Sequence, residues 1–283
     1  MLSWPPINLF RGSKKKDRES KMNERKQKST KSRQSTLRLP TLTAILILFG
    51  LMTIARPAAA ACSNASLTGT YGIAWGWQQE LYNAPNDQAY VVGQLTADGK
   101  GNLTGSETVS LDGSVSTVSV TGTYTVAANC TGTISLSPDF FNIYLDGSST
   151  GFQMTITTPG FEAIGSGIPQ VSATCGLTGK AQRLGINVSG TIPGSSVNKA
   201  IVGEIQLDGK GGVTGLVSIN TNFSNSVVTA TGTYTEASDC VGTLQLTPKG
   251  SSALNFNTVF VNGEKELLLI ETDSGTVIGG TAE

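Results

Sequence analysis

Two blocks of this chain are near copies of one another. VVGQLTADGKGNLTG at 91–105 returns as IVGEIQLDGKGGVTG at 201–215, and VSVTGTYTVAANCTGTISLSP at 118–138 returns as VTATGTYTEASDCVGTLQLTP at 228–248. The offset is 110 in both blocks, without a gap, and 22 of the 48 positions in 91–138 are identical in 201–248. A period of that length is too long for a solenoid unit and fits a whole small domain. The duplication divides the chain into a first repeat at 62–172 and a second at 173–283, behind a segment of different character at 1–61.

Within each repeat the apolar residues keep a period of two. VSVTGTYTV, TGTISLS, FNIYLD and GFQMTITT alternate apolar residues with Thr, Ser and other polar ones, the pattern of half-buried strands. Turns containing glycine separate them, and no stretch after residue 61 carries a helical stripe. The first repeat resolves into eight strands near 68–76, 89–97, 102–110, 116–126, 131–137, 141–146, 151–157 and 160–166. The predicted fold class is all-β, with two tandem homologous domains of about eight antiparallel strands each. Short connections favour a small up-and-down barrel, with a two-sheet sandwich as the alternative.

The four cysteines follow the repeat. Cys130 matches Cys240 at offset 110 and Cys62 matches Cys175 at offset 113. Four cysteines allow three connectivities, and keeping each pair within its own repeat predicts Cys62–Cys130 and Cys175–Cys240.

Charge separates the first segment from the rest. Residues 1–61 hold 13 Lys and Arg against 3 Asp and Glu, whereas 62–283 hold 7 against 17. The basic stretch precedes an apolar run, TLTAILILFGLMTIA at 41–55, followed by Pro57 and a run of alanines ending at Ala61. That order reads as a signal peptide cleaved near Ala61, with Met22 as an alternative start. It places the protein in the secreted, periplasmic or cell-surface space, where disulfides persist. The competing readings are an uncleaved signal anchor and a lipoprotein acylated at Cys62. Ala59 stands where a lipobox favours Leu, and acylation would leave three cysteines, one of them unpaired. The acidic remainder excludes a basic patch for nucleic acid or anionic lipid, and no membrane insertion is expected once the leader is removed.

CSNASLTGTY, ADGKGNLTG, TGTYTV and CTGT resemble the repeat of uncharacterised exported bacterial proteins rich in GTY, DGxG and CxGT motifs. The resemblance covers nearly all of 62–283 and implies a structural repeat without an assigned activity. CGLTGK at 175–180 is more weakly similar to the opening of the avidin branch of the avidin–lipocalin barrels. No binding residue is carried over from either resemblance.

The chain has no histidine, which excludes Ser–His–Asp and Cys–His catalysis and every imidazole-bound zinc site. The two DGKG loops offer one carboxylate each, Asp98 and Asp208, too few for a calcium loop, and read as hairpin turns. No P-loop occurs, and no S-x-x-K motif follows the leader. Glu80, Asp87, Glu107 and Glu162 of the first repeat could supply a carboxylate pair for hydrolysis, but no spacing joins any two. No catalytic residue, metal ligand or cofactor site is predicted. Five N-x-[ST] sequons, at Asn64, Asn102, Asn129, Asn187 and Asn222, matter only in a glycosylating host. The feature that breaks the repeat is aromatic. Tyr71, Trp75, Trp77, Tyr82 and Tyr90 crowd into the first repeat, whereas GLTGKAQRLGINVSG in the second has no aromatic residue. Strand parity puts Tyr71, Trp75 and Trp77 on one face, either as barrel filling or as the lining of a ligand site. The sequence therefore points to an exported, non-enzymatic binding or surface module. Its partner would be a small molecule, a glycan or another envelope protein, with a purely structural spacer as the alternative and a secreted hydrolase behind both.

Overall fold

The computed structural model describes residues 61–78, 88–146, 151–159, 161–171, 175–177, 179–195 and 197–283, with the side chains of Trp77 and Gln78 left out. Residues Ala59–Glu283 form one compact unit that contains two closed, antiparallel, eight-stranded barrels. Barrel 1 runs through β1 (Thr68–Gln78), β2 (Gln88–Asp98), β3 (Asn102–Leu111), β4 (Ser114–Val126), β5 (Thr131–Leu136), β6 (Asp139–Leu145), β7 (Phe152–Ile156) and β8 (Ala163–Pro169). Barrel 2 runs through β9 (Gln182–Ile192), β10 (Val197–Leu207), β11 (Gly212–Thr221), β12 (Ser224–Glu236), β13 (Val241–Pro248), β14 (Leu254–Val261), β15 (Glu266–Glu271) and β16 (Val277–Ala282). Each strand pairs with its neighbour in sequence, and the last closes on the first: β8 on β1, and β16 on β9. The up-and-down barrel is the observed form, not the sandwich.

Alternation explains why the sheet curls shut. In β6 the residues Phe141, Ile143 and Leu145 are buried while Phe140, Asn142 and Tyr144 are exposed, so one face must be enclosed. Side chains fill the enclosed volume. In barrel 1 the Trp75 ring meets Phe141 edge-on at 5.1 Å between centroids, and Tyr71 lies 5.6 Å from Phe152. Barrel 2 fills the same space with smaller aliphatic residues around Phe256 and Phe260.

Both predicted disulfides are present, Cys62–Cys130 and Cys175–Cys240, each within its own barrel. They pin the segment before the first strand to the β4–β5 and β12–β13 turns, at the end of each barrel that also carries the DGKG loop. Cys62 is therefore committed to a disulfide, which leaves no thiol there to acylate. Among the described residues no helix is long and apolar enough to cross a membrane. The leader at 1–60 lies outside them.

The DGKG loops are turns in which the aspartate is an acceptor. Asp98 Oδ1 accepts from the amides of Lys100 (2.7 Å) and Asn102 (3.0 Å), and Asp208 Oδ1 from those of Lys210 (2.7 Å) and Gly212 (2.8 Å). The side-chain amide of Asn102 and these backbone donors hold the Asp98 carboxyl down to about 2. The left-handed positions of the first loop fall on Gly99 and Gly101, not on the aspartate.

The barrels lie side by side with like ends together. The outer faces of β1 and β2 pack on those of β14 and β15 through Ala74, Val92, Val259, Val261, Leu268 and Ile270. At one end Gly275 donates its amide to Gly113 O (2.8 Å) and Ser110 Oγ donates to Thr276 O (2.7 Å). At the other, Asn262 donates its amide to Pro169 O (3.0 Å). Gly279 is required here, because a Cβ at that position would occupy the space of the Tyr90 ring.

Candidate functional site

The structure divides the predicted aromatic group. Tyr71 and Trp75 are buried inside barrel 1, as parity required. The backbone of Trp77 pairs with Ala89 and Ala163, its side chain lies outside the described residues, and so does the whole of Tyr82. Tyr90 parts company with them. On β2 the inward residues are Ala89, Val91 and Leu95, so Tyr90 faces out, against the second barrel. Burial there pushes its hydroxyl up to about 12, keeping it neutral. It borders a cleft of about 570 Å³ between the barrels, shared with Gln88, Ser189, Thr191, Asn198 and Asn220.

A second grouping lies inside barrel 1, at the end away from the disulfide, and two of its members are acidic. Glu107 on β3 follows the inward series of Leu103 and Gly105 and precedes Val109, so its carboxylate enters the barrel. It is 6% exposed, and Oε1 has no hydrogen-bond partner among the described residues. Gly93, opposite Glu107 on β2, leaves the space its Cγ occupies. Asp139 opens β6 on the same face as Phe141, one step nearer the barrel end. Burial, and then the charge of Asp139, pushes the Glu107 carboxyl up to about 7, and burial raises Asp139. The Trp75 and Phe141 rings meet within the same barrel interior. Val118, inward by its pairing with Glu107, and Leu111, paired with the buried Ala89, are each 43% exposed. Both lie at the end of barrel 1 away from the disulfide, where the pairing of β4 with β5 covers only Thr123–Val126 and leaves the stretch that holds Val118 without a β5 neighbour.

Sequence reasoning named Glu107 only as one of four carboxylates without a partner. Asp139 was missed, because nothing in their spacing shows that β3 and β6 face each other across a closed barrel. Glu80 and Asp87 lie outside the described residues, and Glu162 is exposed in the β7–β8 connection.

Barrel 2 carries different groups at the same end. Its inward pair is Lys199 on β10 and Glu271 on β15, 3.1 Å apart, with Glu271 only 1% exposed. Burial raises the Glu271 carboxyl, and the Lys199 charge opposes that rise. Elsewhere in barrel 2 the side chains of Cys175, Glu236 and Glu264 approach one another. The cysteine is in a disulfide, and the two carboxylates accept the amides of Leu177 (2.6 Å) and Gly176 (2.9 Å). Those groups clasp the segment before β9 and leave no free thiolate for a metal.

The chain matches no family model, and no curated protein matches it.

Proposed function

We propose that this is an exported, non-enzymatic binding module whose ligand site is the end of barrel 1 away from the disulfide, with barrel 2 as its structural partner. The observation that carries the reading is the polar content of that end. The buried Glu107 has an unpartnered oxygen and no cation beside it, and it shares the barrel interior with Trp75, whereas in barrel 2 the buried Glu271 has Lys199 beside it and Val188 stands at the tryptophan position. Ligand sites combine an apolar lining with a few convergent polar groups, and the mouth of a β-barrel is a favoured place for them. Export is supported by the basic leader and apolar run, and by two disulfides that fit an oxidising compartment. A non-enzymatic role is supported by the missing histidine and by the absence of a nucleophile motif in the sequence.

The reading is tested by titrating the purified protein with glycans, apolar molecules and small charged molecules while following tryptophan emission, since Trp75 lines the same barrel interior. A saturable change that Val118→Arg removes supports it. No response to any member of the panel, or a response that Val118→Arg leaves intact, contradicts it. Mass analysis of the exported protein tests the location: cleavage near Ala61 is expected, and a retained leader contradicts export with processing.

A further inference from the structure

The two barrels balance their buried carboxylates differently. In barrel 2, Glu271 is matched from within by Lys199. The strand pairing and the repeat place Ile156 and Ala89 of barrel 1 at those two positions, so the internal cation is missing there. Conversely, Glu107 and Asp139 of barrel 1 correspond to Val217 and Leu254 of barrel 2. Barrel 1 thus holds two inward carboxylates and has Ala89 at the position of the lysine. Its sequence offers no replacement: from 62 to 172 the only Lys or Arg is Lys100. Lys100 sits in the turn at the far end of β3, seven residues from Glu107 and roughly 23 Å away along the strand. The described elements around Glu107 add no positive charge: β2 presents Gly93, β4 presents Val118, β1 presents Trp75 and β6 presents Asp139.

We propose that the end of barrel 1 away from the disulfide binds a protonated organic amine, its ammonium group between Glu107 and Asp139 and its apolar part against Val118 and Leu111. This rests on the same mouth being the ligand site. The cation comes from solution because the described residues of barrel 1 supply none at Glu107, and burial of a carboxylate without a partner is costly enough to favour one. An organic cation fits better than a metal ion. The surrounding inward residues, among them Val109, Val118 and Leu136, supply carbon where calcium or magnesium would need six or more oxygens. A monoamine with a short hydrocarbon body matches one ammonium site beside two half-exposed apolar side chains. Binding requires an ionised Glu107, so a proton leaves that carboxyl as the amine enters at neutral or mildly acidic pH.

The experiment is calorimetric titration of the purified protein with n-hexylammonium, n-hexanol and calcium chloride at pH 8 and pH 5.5. Hexylammonium is expected to bind at least tenfold more tightly than hexanol at pH 8, and at least tenfold more weakly at pH 5.5 than at pH 8. At pH 6.5 the measured heat should depend on the ionisation enthalpy of the buffer, reporting proton release. Glu107→Val, which installs the barrel 2 residue, and Ala89→Lys, which installs the barrel 2 cation, should each abolish the preference for the amine. Ala89→Lys keeps both carboxylates, so it separates loss of the site from loss of its charge. Equal binding of hexanol and hexylammonium with both variants silent overturns the amine while leaving a neutral-ligand site intact. Calcium binding that displaces the amine also overturns it. Failure of all three probes, together with a silent ligand panel, overturns the binding site as well.

Discussion

Where barrel 2 has Val217 on β11, barrel 1 has Glu107 on β3, and where barrel 2 has Leu254 on β14, barrel 1 has Asp139 on β6. Trp75 of barrel 1 likewise stands where barrel 2 has Val188. The strands, the pairing order, the disulfide and the DGKG turn are the same in both, so the scaffold tolerates either filling. What differs is who supplies the countercharge. In the pair of Lys199 and Glu271 the countercharge comes from within the chain, although Glu271 Oε2 has no hydrogen-bond partner among the described residues, and such a pair holds a barrel together or merely breaks even. A buried carboxylate next to another carboxylate is incomplete, and incompleteness of that kind is characteristic of sites that bind something.

The strongest test of the common scaffold is removal of a disulfide. The two bridges close loops with sequence separations of 68 and 65, so chain entropy gives each about 4 kcal/mol. Cys62→Ser with Cys130→Ser and Cys175→Ser with Cys240→Ser should lower stability in urea by similar amounts. A loss in one pair alone would show that the two barrels are held together by unlike means. Next comes the ion pair. Lys199→Met leaves Glu271 buried without a partner and should cost about 3 kcal/mol, while Lys199→Met with Glu271→Leu should recover most of it. If the double variant binds amines less well than the parent, the division between a structural barrel and a binding barrel is wrong.

Proton linkage separates the barrels further. A carboxyl raised in the folded state to about 7 binds its proton more tightly there than in the unfolded chain. Its contribution is therefore fully present below pH 4.5 and lost as pH rises through 7, a span of at most about 3 kcal/mol. Denaturant midpoints at pH 5 and pH 8 should diverge in the parent, and Glu107→Val should reduce that divergence. The residue left over belongs to Asp139, Glu236, Glu266 and Glu271, whose carboxyls burial also raises. The smallest effect is expected at the contact between barrels. Tyr90→Phe keeps the ring that fills the space over Gly279 and should change stability by about 0.5 kcal/mol or less, with amine binding unchanged. A loss of amine binding in Tyr90→Phe would move the site from the barrel mouth to the cleft.

Most of the scaffold was legible because its signals are local or repeated. Alternation in FNIYLD and TGTISLS located strands to within a few residues, and the shared offset paired the cysteines. Parity placed Tyr71 and Trp75 on one inward face for the same reason. Tyr90 was grouped with them by nearness in sequence, but inward and outward on β2 depend on its register with β1, where Tyr90 pairs with Gly76 rather than with Trp75. The acidic pair depends on closure of the sheet, which brings β6 across from β3. One half of it did have a signal: Glu107 opposite Val217 is a change from charged to apolar inside the ungapped repeat. The other half had none, because Asp139 and Leu254 are 115 apart and fall beyond the block that aligns at 110.

The central claim is that Glu107 lies buried and unpaired until a cation arrives, and carboxyl-carbon NMR of the protein labelled at glutamate reads this directly. Assigned through Glu107→Gln, the Glu107 resonance should titrate near pH 7 in the free protein and well below that when hexylammonium is bound. A Glu107 that titrates at the ordinary glutamate value in both conditions would contradict the account.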